Sequence, residues 1–153
     1  MSSILQKLNK NPSLLIDYLE KCEDQINAAK EILDLDDKVL EKLCKDHPKY
    51  VAEYKRKLYE IKCVEDLFNN NLEAVYSEKW KELNSNMKKI LTQKDIHVYI
   101  QSDNDYRELR ELVLEITFIK KIYESICEAF DALGYSLNNI VKIRIASLED
   151  MVI

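Results

Sequence analysis

Three features of the 153-residue sequence predict an all-α protein. It has one glycine and two prolines, 33% of its residues are charged, and its apolar residues recur at steps of three and four. The periodicity is clearest over residues 103–133. There Leu109, Leu112, Ile116, Ile119, Tyr123, Ile126, Phe130 and Leu133 form one stripe of a helix, the spacing of a coiled-coil seam. Val113, Ile122, Cys127 and Ala129 form a second stripe beside it, with Phe118 reaching toward it. A stripe this wide needs two or more partner helices. The sequence therefore predicts an elongated helical hairpin or bundle with a long coiled-coil-like C-terminal helix, and a seam that is either a bundle core or an oligomer core.

Taken in order, residues 1–11 are polar and read as frayed, and Asn11-Pro12-Ser13 reads as a helix start. Leu15, Tyr18, Cys22, Ile26, Ala29 and Ile32 then mark a helix ending near Leu33. A short helix with Val39, Leu40, Leu43 and Cys44 should stop at His47-Pro48, because proline disfavours helical backbone at the residue before it. A long pattern follows from Pro48, with a kink or break expected at Asn69 to Asn71 and an interruption at Asn84-Ser85-Asn86. Thr92 to Ser102 reads as an extended connector. Ser102 to Asp105 offers caps for the seam helix, and Gly134 stands where a left-handed C-terminal cap belongs. A closing helix should begin at Ser136. These elements divide into an N-terminal arm, residues 1–91, with basic patches, and C-terminal helices, residues 103–153, for oligomerisation.

The sequence offers little to an enzyme. His47 and His97 are far apart, a single glycine cannot build a phosphate loop, and the carboxylates alternate with Lys and Arg as on a solvated helix face. No catalytic residue, metal ligand or cofactor is expected. Cys22, Cys44, Cys63 and Cys127 fall singly, without metal or disulfide spacing, and read as reduced thiols. No stretch resembles a signal peptide or a membrane span, so a cytoplasmic protein is expected.

Net charge is −5, so any nucleic-acid surface must be local. Residues 45–62 carry six basic side chains against three acidic ones, including Lys55, Arg56 and Lys57, with Tyr50, Tyr54 and Tyr59 between them. Residues 78–94 carry five against two, including Lys79, Lys81, Lys88 and Lys89, with Tyr76 and Trp80 adjacent. Basic residues interleaved with aromatics suit single-stranded nucleic acid, because phosphates take the charge and unstacked bases lie on the rings. The alternative reading of both stretches is a solvated helix face, with Trp80 packed between helices.

Three segments carry a family resemblance: VYSEKWKELNSN (Val75 to Asn86), YIQSDNDYREL (Tyr99 to Leu109) and LGYSLNNIVKIRIA (Leu133 to Ala146). In order and spacing they resemble the recombination mediator proteins of T-even-like bacteriophages, the UvsY family. The first is similar to a basic and aromatic segment, the second to an acidic helix start. The third is similar to a closing motif held here by Gly134, Tyr135, Leu137, Ile140 and Arg144. This chain departs from the family in having Ser77 where a basic residue is common, and Ser85 and Asn86 where a glycine is usual.

The resemblance implies a non-enzymatic DNA recombination, repair and replication factor of a bacteriophage, acting in the host cytoplasm. It would bind single-stranded DNA together with the single-strand-binding protein and help load the phage recombinase. Lys79, Lys81, Lys88, Lys89, Trp80, Lys55, Arg56 and Lys57 are the expected DNA contacts. Leu112, Ile116, Ile119, Tyr123, Ile126, Phe130, Ile140 and Ile143 are the expected oligomer interface. The family's homo-oligomeric rings hold about six or seven subunits, and linking copies turns modest site affinity into avidity. The other reading is a helical scaffold or adaptor that binds only protein partners.

Overall fold

The computed structural model describes residues 3–35, 39–86 and 92–149. Helix α1 is Ser3–Lys10, and a 3-10 turn at Pro12–Leu14 leads into α2, Leu15–Leu33. Helix α3 is Leu40–Asn86, α4 is Gln93–Ser102 and α5 is Asn104–Glu149. The described residues contain no strand, so the all-α reading holds.

Local chemistry explains most of the boundaries. The Asn11 side-chain oxygen accepts the Ser13 N–H at 3.2 Å, and Pro12 follows where its missing N–H costs nothing. Helix α4 opens on a capping box: Thr92 Oγ1 accepts the Asp95 N–H at 3.2 Å, and Asp95 Oδ2 accepts the Thr92 N–H at 3.1 Å. The Thr92 hydroxyl also holds the Asp95 carboxyl below the usual carboxylate range. Asp103 starts α5 by accepting the Tyr106 N–H on its side chain at 3.2 Å.

The chain folds as two compact units. The first joins Met1–Leu15 to Glu60–Ile119, and the second joins Ile16–Tyr59 to Lys120–Ile153. Each draws on both 1–91 and 103–153, because α3 and α5 contribute residues to both units. The first unit buries Leu8, Leu15, Ile61, Val64, Phe68, Ile96, Ile100, Val113, Ile116 and Ile119.

The second unit buries Tyr18, Leu19, Cys22, Ile26, Ala29, Tyr54, Tyr123, Ile126, Cys127, Phe130 and Leu137. Its centre is aromatic: the Tyr54 ring lies 5.0 Å from Phe130 and 6.1 Å from Tyr123, between centroids. The buried hydroxyls find acceptors on α2. Tyr54 donates to the Gln25 carbonyl at 2.9 Å, and Tyr123 Oη lies 3.1 Å from the Cys22 carbonyl and 2.9 Å from Gln25 Oε1. Burial raises the Tyr54 phenol above its ordinary pKa. No disulfide joins the cysteines; Cys22 and Cys127 are buried, Cys63 is half-buried and Cys44 is exposed.

The structure corrects several expectations. Residues 3–10 are helical rather than frayed, because Leu8 is fully buried and anchors α1. Helix α3 continues through Pro48 and through Asn69 to Asn71. Burial of Tyr54, Ile61, Val64 and Phe68 along that helix outweighs the local preferences of proline and asparagine. Residues 93–102 are a helix, not an extended connector, since Ile96 and Ile100 lie one turn apart and are both buried. Helix α5 passes Gly134 without a cap, and Ser136, expected to start a new helix, donates from Oγ to the Ala132 carbonyl at 3.2 Å inside it.

Candidate functional site

Lys79 belongs to the basic stretch of residues 78–94, and in the first unit it is already engaged. Its Nζ lies 2.9 Å from Asp103 Oδ2 and 3.4 Å from Asp105 Oδ2. The hydrogen bond from Lys79 keeps the Asp103 carboxyl below its ordinary range, and the bond to Asp103 raises the lysine above its own. The pair is therefore fully charged through neutral pH. Beside it is an open cleft of about 260 Å³ lined by Lys79, Glu82, Leu83, Tyr99, Ile100, Ser102 and Asp103. Tyr99 is 52% exposed on its wall.

Lys81 is exposed, but it follows Lys79 by two residues and so points about 200° away around α3. Trp80, between them, is half-buried. Lys88 and Lys89 lie outside the described residues. The same unit joins two of the segments that carry the family resemblance. Tyr76 and Tyr106 rings are 6.0 Å apart, and the Tyr76 hydroxyl is 3.1 Å from His97 Nδ1.

Lys55, Arg56 and Lys57 belong to the other unit. Lys55 Nζ is 2.9 Å from Asp131 Oδ1, Lys57 Nζ is 3.9 Å from Glu53 Oε1 one turn away, and Arg56 is exposed. The three consecutive cations thus face different directions. Among the described residues no group of His, Cys, Asp and Glu could hold a metal ion, and no helix is long and apolar enough to cross a membrane.

The expected interface residues also divide. Ile116, Ile119, Tyr123, Ile126 and Phe130 are buried by the chain's own side chains, and Leu112 is half-buried. Ile140 and Ile143 are 38% and 65% exposed, three residues apart on one face of α5. Tyr135, Leu114 and Phe118 are also exposed.

Sequence reasoning missed Tyr99, Asp103 and Asp105 as neighbours of Lys79. A usable signal was present: Thr92-x-x-Asp95 is a capping-box pattern, and it marks the following residues as helix. A comparison with protein-family models, curated proteins and solved structures finds no match to this chain.

Proposed function

We propose that this protein is a homo-oligomeric recombination mediator of the phage kind. It binds single-stranded DNA beside the single-strand-binding protein and helps the recombinase assemble on it. One observation carries the reading beyond sequence resemblance. The segments Val75 to Asn86 and Tyr99 to Leu109 lie together in one unit, with Lys79 hydrogen-bonded to Asp103 where they meet. That junction puts one cation, Lys79, and one aromatic ring, Tyr99, on one cleft, with Glu82 and Asp103 also on its wall.

Lys79, Lys81, Lys88 and Lys89 neutralise phosphates, and exposed rings support bases. A ring of about six or seven copies multiplies these modest contacts. The exposed pair Ile140 and Ile143 supports assembly through α5, because an apolar face left in water favours a partner. No reaction is carried out and no cofactor is held.

A protein-only helical scaffold is favoured by one set of observations: Lys55, Lys57 and Lys79 are all paired within the chain. Changing Lys79, Lys81, Lys88 and Lys89 together to Ala separates the two. A mediator loses single-stranded DNA binding at unchanged oligomer mass, whereas a scaffold shows no binding to lose.

A further inference from the structure

We propose that Asp103 and Asp105 are an autoinhibitory contact, intramolecular stand-ins for DNA phosphate that single-stranded DNA must displace from Lys79 to enter the Tyr99 cleft. This rests on the single-strand-binding reading above and adds a regulation of that site.

The geometry separates the acid's two partners. Asp103 accepts the Tyr106 N–H on Oδ1 at 3.2 Å and holds Lys79 on Oδ2 at 2.9 Å. When the lysine leaves, the first bond and the positive end of α5 still satisfy the carboxylate. Lys79 is a compact charge on a flexible stem, and its side chain is 28% exposed. Releasing it therefore needs a rotation of one side chain and no change in helix α5. The same cleft has the half-exposed Tyr99 ring on its wall, a surface for the base next to the displaced phosphate.

The contact has a purpose that fits a weak pair. A partly exposed ion pair holds its lysine only part of the time, so it lowers apparent affinity by the fraction of time the lysine is engaged, about two- to fivefold per site. A small anion that meets one subunit gains little. A single strand that crosses several subunits overcomes the contact many times over.

The test is anisotropy of a labelled single-stranded oligonucleotide at low salt with five full-length proteins. These are the wild type, Asp103→Asn, Asp105→Asn, Lys79→Ala and the double variant of Asp103→Asn with Lys79→Ala. Asparagine caps a helix as well as aspartate does, so the start of α5 is kept, and thermal melting checks this. Asp103→Asn should tighten binding two- to fivefold at low salt, and the gain should shrink as salt rises and screens the wild-type pair, since Lys79 contacts phosphate in both complexes. Asp105→Asn, which leaves the cap untouched, should give a smaller gain of the same sign.

In the Lys79→Ala background Asp103→Asn should change nothing. An equal gain in both backgrounds would reduce the effect to overall charge and overturn the proposal. So would no gain from either aspartate variant while the wild type binds, and in that case the mediator reading survives. Absence of binding by every protein would overturn both.

Discussion

Gly134 lies in the middle of α5, where glycine is a poor helix former, and His47 explains its presence. A Cβ at position 134 would sit 2.8 Å from His47 Cε1, closer than carbon atoms pack. The imidazole occupies that space because its Nε2 is 2.7 Å from the Phe130 carbonyl, and its ring meets the Phe130 ring edge-on at 6.5 Å. Gly134→Ala should therefore destabilise the chain by about 1 to 2 kcal/mol through overpacking, despite the better helix propensity of alanine. With His47→Ala already in place, the same change should stabilise it by about 1 kcal/mol. Urea unfolding of the four proteins measures both, and the same sign in both backgrounds would refute the role assigned to His47.

Helix α3 shows what local sequence signals weigh against burial. Pro48 removes the N–H that would pair with the Cys44 carbonyl, yet the helix runs on, because the residues that follow bury Tyr54, Ile61, Val64 and Phe68. Pro48 is exposed and buries nothing that alanine would lose. Pro48→Ala should raise stability by about 1 to 3 kcal/mol in chemical denaturation. A loss instead would mean that Pro48 sets His47 against Phe130. The fold class, the helix from Leu15 to Leu33 and the seam from Leu109 to Leu133 were legible, since each rests on periodicity that the core enforces. Pro48, Thr92 to Ser102 and Gly134 were misread for one reason. Each local signal was judged without the tertiary contact that overrides or explains it: the buried face of α3, the burial of Ile96 and Ile100, and the ring of His47.

At the scale of the whole molecule, the seam serves two intramolecular cores rather than standing open. Ile116 is fully buried in the first unit, so Ile116→Asp should cost about 3 to 5 kcal/mol and lower the thermal midpoint of the chain itself. Ile140→Asp with Ile143→Asp, on the exposed part of α5, should instead reduce the mass in light scattering and leave the helical circular dichroism unchanged. If the mass stays unchanged, assembly does not use this face. The candidate site was only half legible: composition located the lysines and aromatics, while their pairing with Asp103, Asp105, Asp131 and Glu53 depends on helix rotation and, for all but Glu53, on distant packing. Those carboxylates compete with DNA phosphate for the same lysines, so DNA binding is the property to measure directly. Anisotropy of a labelled single-stranded oligonucleotide, titrated at low and moderate salt with duplex as control, supplies it. The account predicts single-strand-selective binding that weakens as salt rises, because phosphate contacts release counterions. No binding at low salt would contradict it and leave a helical scaffold for protein partners.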